Sequence, residues 1–408
     1  MHILIDASEL DRAPPGARSY FRETVRHLLL LGEGHAYSLL GYPRRTLGPV
    51  AGFLTPLPRP ARERLRSVDP GVAALSYSPL GMPAPVMAST RSAGARRTLP
   101  AVATLLDMDG GRDGWFGRKT RSPASRRLER ASRVVTLTRS SLEALVERQG
   151  IEESRVRWIP PGLLAPAAAE RIARDVELPL VPYVAAALGT RGTTLGSLRA
   201  AIRLLCAFRG CLRRGGKELR LLFLDGSSSL LRRGVLEAAA WLGLVGRVGF
   251  APDRGEFPRT RLISSADAFI LAERDDPGWL SGAEAMRRGV PILAPRGQAA
   301  AEIFGDSALY YSRESSRELQ AALARILQSA DLRRALAQRG IARAQAFPWE
   351  ASAGRIIDVF AEVEAELGPV APAAAAVEWA TFNSWEDPQI SPGARSSPTA
   401  PTSTGERA

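Results

Sequence analysis

Residues 268–295 read "AFILAERDDPGWLSGAEAMRRGVPILAP". The stretch opens on an apolar run of strand character, "AFILA". It then passes through an acidic, Pro-Gly loop and enters what looks like the start of a buried helix. A second apolar run, "VPILAP", closes it. Strand, loop, helix and strand in this order indicate parallel strands joined by a helix. A loop of this kind between a strand and a helix mouth is where a charged ligand is expected. Two carboxylates, Asp276 and Glu284, stand eight residues apart across it.

The same alternation extends on both sides. Upstream, "LPLVPYVAAALGT", "ELRLLFLDG" and "GRVGFA" read as strands, separated by the helical runs "TLGSLRAAIRLLCAFRGCLRRGG" and "LLRRGVLEAAAWLGL". Downstream come the strand "ALYYS", one long helix over residues 316–347 and a last amphipathic helix in "PWEASAGRIIDVFAEVEAEL". The first part of the chain repeats the pattern. "HILIDA" is a strand, "PPGARSYFRETVRHLLLLG" a helix after a Pro-Gly entry, and "HAYSLLGYP", "PAVATLLDMD", "VVTLT" and "SRVRWIPPGL" supply further strands. Residues 43–100 are rich in Pro and Arg and give no clear periodicity. The expected architecture is therefore α/β, with two doubly wound, Rossmann-like domains facing each other across a cleft. The boundaries are 1–168 and 169–348, followed by a helix over 349–367 that crosses back to the first domain. Residues 368–408 are Ala, Pro, Ser and Thr with few large apolar groups, which predicts a disordered tail. In open sheets of this type ligands bind beyond the carboxyl ends of the strands, so the cleft is the expected site.

Composition agrees with a globular chain. Of 408 residues, 45% are hydrophobic and 24% charged, which is enough apolar material for two cores. No apolar run reaches the roughly 18 residues of a spanning helix. The beginning of the chain lacks the basic flank and long apolar core of a signal peptide, so the expected address is cytoplasmic. The formal charge of +13 comes almost entirely from Arg, since Lys119 and Lys217 are the only lysines. Arg clusters such as "RPARERLRS" and "GRKTRSPASRRLERASR" lie before residue 134. They read first as solvated surface and second as a face for an anionic membrane or acceptor, giving a protein peripheral to the inner membrane surface. No nucleic-acid module, aromatic ladder or zinc spacing accompanies them, so nucleic acid is not an expected partner. Cys206 and Cys211 lie five apart on one helix and face different ways. They read as buried, reduced thiols, and no metal site is expected.

The order of elements resembles the GT-B fold of retaining glycosyltransferases of family 4 (group 1) over residues 1–366. "EAMRRGVPILAP…AAEIFGDSALYY" is similar to the family's second-domain signature. "RVVTLTRSSLEAL", "VRWIPPGL" and "FPWEASAGRIIDVF" resemble three further family stretches. The resemblance implies a nucleotide-sugar donor, no separate cofactor, and a role in the polysaccharide-biosynthesis class of reactions. It places Glu284 on the ribose hydroxyls and Asp276, one methylene shorter than the family's Glu, on the donor sugar. Backbone at Trp279, Leu280 and Ser281 would meet the phosphate at a helix N-terminus. The loop "LGTRGTTLGS" contributes Gly189 and Thr193 to the donor, with Arg191 on the diphosphate.

Three positions depart from the family pattern. Thr193 and Thr194 stand where a Lys is expected, which leaves one cation where the family uses two. Leu106 replaces the His that precedes Asp107, and the family's Gly-rich entry loop keeps Gly16 but carries Arg18 in place of its second Gly. Asp276, Arg191 and Asp107 are the expected catalytic residues; Gly16 and Arg18 are expected on the acceptor side. The reading is transfer of a sugar with retention and without metal to a glycan, lipid-linked or small-molecule acceptor. The alternative is a catalytically impaired binding or partner subunit of the same fold.

Overall fold

The computed structural model describes residues 1–7, 10, 13, 15–40, 57–65, 73–79, 87–89, 96–106, 128, 130–163, 182–188, 194–215, 219–224, 229–251, 256–272 and 278–367. The chain begins with β1 (His2–Asp6), α1 (Pro15–Leu31), β2 (Ala36–Leu40), the short α2 (Arg59–Glu63) and β3 (Leu75–Ser78). A small antiparallel hairpin follows, β4 (Met87–Ser89) with β5 (Arg96–Thr98). Then come β6 (Ala101–Leu105), β7 (Arg133–Thr136), α3 (Arg139–Gln149) and β8 (Val156–Trp158). Six of these strands form one parallel sheet in the order β2-β1-β3-β6-β7-β8.

The second half repeats the plan. Its elements are β9 (Tyr183–Ala187), α4 (Thr194–Gly215), β10 (Arg220–Phe223), α5 (Ser229–Trp241), β11 (Val248–Phe250), α6 (Glu256–Ser264) and β12 (Ala268–Leu271). They continue with α7 (Gly278–Arg287), β13 (Ile292–Pro295), α8 (Gln298–Phe304), β14 (Ala308–Tyr311), α9 (Ser316–Gln328), α10 (Ala330–Ala344) and α11 (Trp349–Leu367). The second sheet is also parallel, in the order β11-β10-β9-β12-β13-β14. The inner strands β1, β9 and β12 are buried on both faces, which is why they read as continuous apolar runs. In the second sheet the winding reverses between β9 and β12. The loops that leave their carboxyl ends therefore flank the switch point where such sheets take ligands.

Helix α11 packs on α1, in the first half of the chain. Its Trp349 lies over Gly162, where any Cβ would overlap the indole, and stacks on His27 at 5.4 Å. Farther along, Arg157 of β8 reaches Glu362 at 2.7 Å, and Arg133 of β7 pairs with Glu362 and Glu366.

Three details differ from the sequence reading. The central strand β3, "LSYS", was not legible in the Pro- and Arg-rich region. It is short and half polar, yet buried throughout, and Ser76 meets its hydrogen-bond need at the Pro100 carbonyl, 3.2 Å away. The expected single helix over residues 316–347 is two. Ser329 takes an extended conformation, and its hydroxyl caps α10 by accepting from the Leu332 amide at 3.1 Å. Of the cysteines, Cys211 is buried but Cys206 is exposed, because the helix turns it away from the core. The expected tail at 368–408 lies outside the described residues.

Candidate functional site

Helix α7 sits behind the switch point and is buried almost all round. Trp279, Leu280 and Ser281 of its first turn are 8%, 7% and 1% exposed, and Ala283, Ala285 and Met286 are fully buried. Gly282 packs tightly here, since a Cβ would lie 3.0 Å from the Phe304 ring and 3.1 Å from Leu271, and these side chains would have to give way. The first turn of α1 closes over this end from the other lobe. A Cβ on Gly16 would stand 2.9 Å from Ser281 Oγ and 3.1 Å from the Ser281 backbone nitrogen. The two helix starts thus touch, and Arg18 lies half-buried one residue beyond Ala17.

Glu284 is the polar centre of this junction. Its Oε2 accepts from Arg259 Nη1 at 2.8 Å and its Oε1 from Thr260 Oγ1 at 3.1 Å. Arg288, one turn on along α7 and its C-terminal continuation, places Nε 3.6 Å from Oε1. Arg259 also donates from Nη2 to Ser281 Oγ at 2.6 Å, so one guanidinium fork ties the helix mouth to the carboxylate. Burial alone would raise the Glu284 pKa. Attraction to Arg259, Arg287 and Arg288, with the Arg259 hydrogen bond, outweighs it and holds the carboxyl below its ordinary value. From α1, Arg22 and Glu23 enter the same field. Burial lowers the Arg22 pKa against the pull of Glu23 and Glu284, and burial lowers that of Arg287 against Glu284 and Glu23. Burial raises Glu23 itself, against Arg26, His27, Arg22 and Arg287. Among the described residues of this junction guanidinium groups outnumber carboxylates, a balance that suits an anion.

A second tie joins the lobes. Glu302 of α8 accepts from the Arg139 and Ser140 backbone amides at 2.5 and 2.8 Å, at the N-terminus of α3. A carboxylate in that position meets two orphan donors and the positive end of the helix. Glu302→Ala is expected to cost about 0.5–2 kcal/mol, the range of a lost helix cap, and to raise proteolytic cutting between the lobes. Urea unfolding and limited proteolysis check it.

The sequence-expected residues divide. Glu284, Trp279, Leu280, Ser281, Gly16 and Arg18 are described, and Glu284, Ser281 and Gly16 meet at one junction. Arg191, Gly189 and Thr193 fall in the loop after β9, Asp276 in the loop after β12 and Asp107 after β6. All five lie outside the described residues. Leu106 is 3% exposed and belongs to the apolar core, so an aliphatic group occupies the end of β6. Sequence reasoning missed Arg259, Thr260, Arg22, Glu23, Arg287 and Arg288. The spacing of Glu284 to Arg288 was a legible i,i+4 pair. Arg259 was not, because it comes from another helix 25 residues away.

The two parallel six-stranded sheets with flanking helices are the GT-B fold. No protein-family model matches the chain. In sequence it is similar to the D-inositol 3-phosphate glycosyltransferase of Nocardia farcinica, 29% identical over 240 residues that cover 56% of this chain and 52% of the relative. A relative of the same description from Acidothermus cellulolyticus is 28% identical over 251 residues, covering 58% and 54%. The match thus spans about half the length of these curated relatives. Among solved structures, sucrose-phosphate synthase of Thermosynechococcus elongatus superposes with a TM-score of 0.60 at 17% identity, covering 90% of this chain and all of that one. HepE of Anabaena in complex with UDP-glucose gives 0.60 at 15% identity, covering 89% and 100%.

Proposed function

We propose that this chain transfers a sugar from a nucleotide sugar to a glycan, lipid-linked or small-molecule acceptor, with retention and without a metal ion or further cofactor. The observation that carries the reading is Glu284: a buried carboxylate in the second turn of α7, kept ionised by arginines, one turn on from the helix mouth that Gly16 of the other lobe touches. In this reading Glu284 takes the ribose hydroxyls. A carboxylate offers about four acceptor positions, so its bonds to Arg259 and Thr260 leave room for them. Arg191 and the start of α7 take the diphosphate, Asp276 the sugar, and Asp107 and Arg18 the acceptor side. The similarity to glycosyltransferases, and a fold neighbour that holds UDP-glucose, support it. A cytoplasmic address and contact of the Arg-rich first half with an anionic membrane belong to the same proposal.

One observation favours a second reading, that of a binding subunit without transfer. Arg259 already engages Ser281 as well as Glu284, and Gly16 lies against Ser281, so the helix mouth assigned to the phosphate is engaged within the protein. Calorimetry with UDP, GDP and ADP separates the two. The transferase reading expects one of them to bind, and slow hydrolysis of the matching nucleotide sugar that persists in EDTA and disappears in Glu284→Ala. Binding of none of the three overturns it. Tight binding without any turnover establishes the second reading.

A further inference from the structure

We infer that the outer face of α4, with the turn that joins α5 to β11, is a docking surface for an anionic lipid bilayer. Helix α4 carries its core-facing residues, among them Ala201, Leu204, Leu205 and Phe208, on one side. Its opposite side presents Leu195, Arg199, Ile202, Cys206, Arg209 and Arg213 at helical spacing of three and four. Leu195 is 52% and Ile202 38% exposed, where a solvated helix face would carry polar residues. No Asp or Glu occurs anywhere in α4. The stripe is therefore apolar and cationic together, with no carboxylate of its own, over about 27 Å at 1.5 Å per residue.

At the C-terminal end of α4 this stripe meets the α5–β11 turn. Arg209, Leu212 and Arg213 of the helix, with Leu242, Leu244 and Arg247 of the turn, line a cavity of about 390 Å³. Beside it Trp241 is 93% and Val245 77% exposed. These are large apolar side chains, yet the turn that holds them is well built. Leu244 is 2% exposed and anchors it, its amide bonds the Ala239 carbonyl at 2.8 Å, and Arg247 bonds back to Leu244 at 3.0 Å. Gly243 and Gly246 take positive φ values of 70° and 76°, which sets the path of the turn that follows Trp241, the last residue of α5.

An exposed indole at the end of α5, adjoining in sequence an open depression lined by Arg209, Arg213 and Arg247, matches the interfacial zone of a bilayer. Trp settles at the headgroup level and Arg pairs with lipid phosphate. The one carboxylate described on the neighbouring exposed face of α5, Glu237, is paired with Arg233 at 2.8 Å. Chain direction in a parallel sheet sets the orientation. The ends of α4 and α5 lie at the amino edge of the second sheet, and the mouth of α7 at its carboxyl edge. The N-terminal end of the stripe, with Leu195, lies at the carboxyl edge, so a bilayer that leaves the interlobe junction clear rests on the C-terminal end of α4 and the α5–β11 turn.

The test uses the full chain and vesicles of phosphatidylcholine with and without phosphatidylglycerol. Sedimentation with the anionic vesicles only, weakened by salt, is expected. Trp241→Ala and the pair Arg199→Glu/Arg213→Glu are each expected to lower binding at least tenfold. All three positions are exposed, so folding is preserved, and unchanged thermal melting and nucleotide binding confirm that. Failure of the wild-type chain to sediment overturns the inference. So does wild-type binding by both variants, which assigns the membrane contact to the arginines before residue 134. A dimer in solution that Trp241→Ala converts to a monomer also overturns it, because the face then belongs to a second copy of the chain.

Discussion

Glu284→Ala is expected to cost about 3–5 kcal/mol of folding stability and to abolish nucleotide binding. The stability loss follows from what remains. Arg259, Arg287 and Arg288 all draw on this carboxylate in a buried place; alanine removes it, and of these Arg287 retains Glu23. Removing one partner of a buried ion pair is costly for that reason, even where the intact pair adds little. Glu284→Gln keeps the volume and isolates the charge, and here the pH dependence has a definite sign. A carboxyl whose folded pKa is depressed contributes stability above its unfolded value, about 4.3, and loses it as pH falls through the folded value. The difference in unfolding free energy between the wild type and Glu284→Gln is therefore at its full size at neutral pH and shrinks as pH falls below about 4.3 through the lower folded value. Glu23, raised by burial, acts in the opposite sense, but it is present in both proteins and cancels in the comparison. Urea unfolding at several pH values measures this. A difference that grows on acidification contradicts an ionised Glu284.

Much of the frame was legible because the inner strands are buried on both faces and most helices on one. The two signals, unbroken apolar runs and helical spacing, alternate along the chain. "AFILA" and "VPILAP" became β12 and β13, adjacent and parallel, with α7 between them. Legibility failed where a local pattern was overruled by tertiary contact. β3 carries two serines and is nonetheless central, because its neighbours supply the burial that its own composition does not advertise. Ser329 interrupts a helical period that continues on both sides, and only its capping bond reveals the break.

The candidate site divides along the same line. Glu284 and the helix mouth could be read from the sequence, since they lie within one strand–loop–helix unit. Arg259 could not be, because its meaning comes from a contact between α6 and α7 that no spacing encodes. The closeness of Gly16 to Ser281 likewise belongs to the packing of one lobe against the other.

Arg259→Met carries the second large expectation: nucleotide affinity falls roughly ten- to hundredfold, with a measurable loss of stability. A hydrogen bond to a charged group contributes about 1.5–3 kcal/mol, and Arg259 makes one to Glu284 and another to Ser281. Methionine preserves much of the aliphatic bulk but neither bond, so Glu284 is left to Thr260 and Arg288 and its orientation toward a ribose loosens. Arg259→Lys returns the charge without the planar fork, and recovers only part of the affinity. A double-mutant cycle with Glu284→Gln should give a coupling of about 0.5–3 kcal/mol in unfolding free energy, as expected for residues in direct contact. Calorimetry with the nucleotide that the wild type binds decides the role of the guanidinium. Under the transferase reading Arg259 holds the carboxylate in place for the donor. Tighter binding by Arg259→Met would mean the reverse, that this side chain fills the donor's position and the protein has exchanged catalysis for a closed junction.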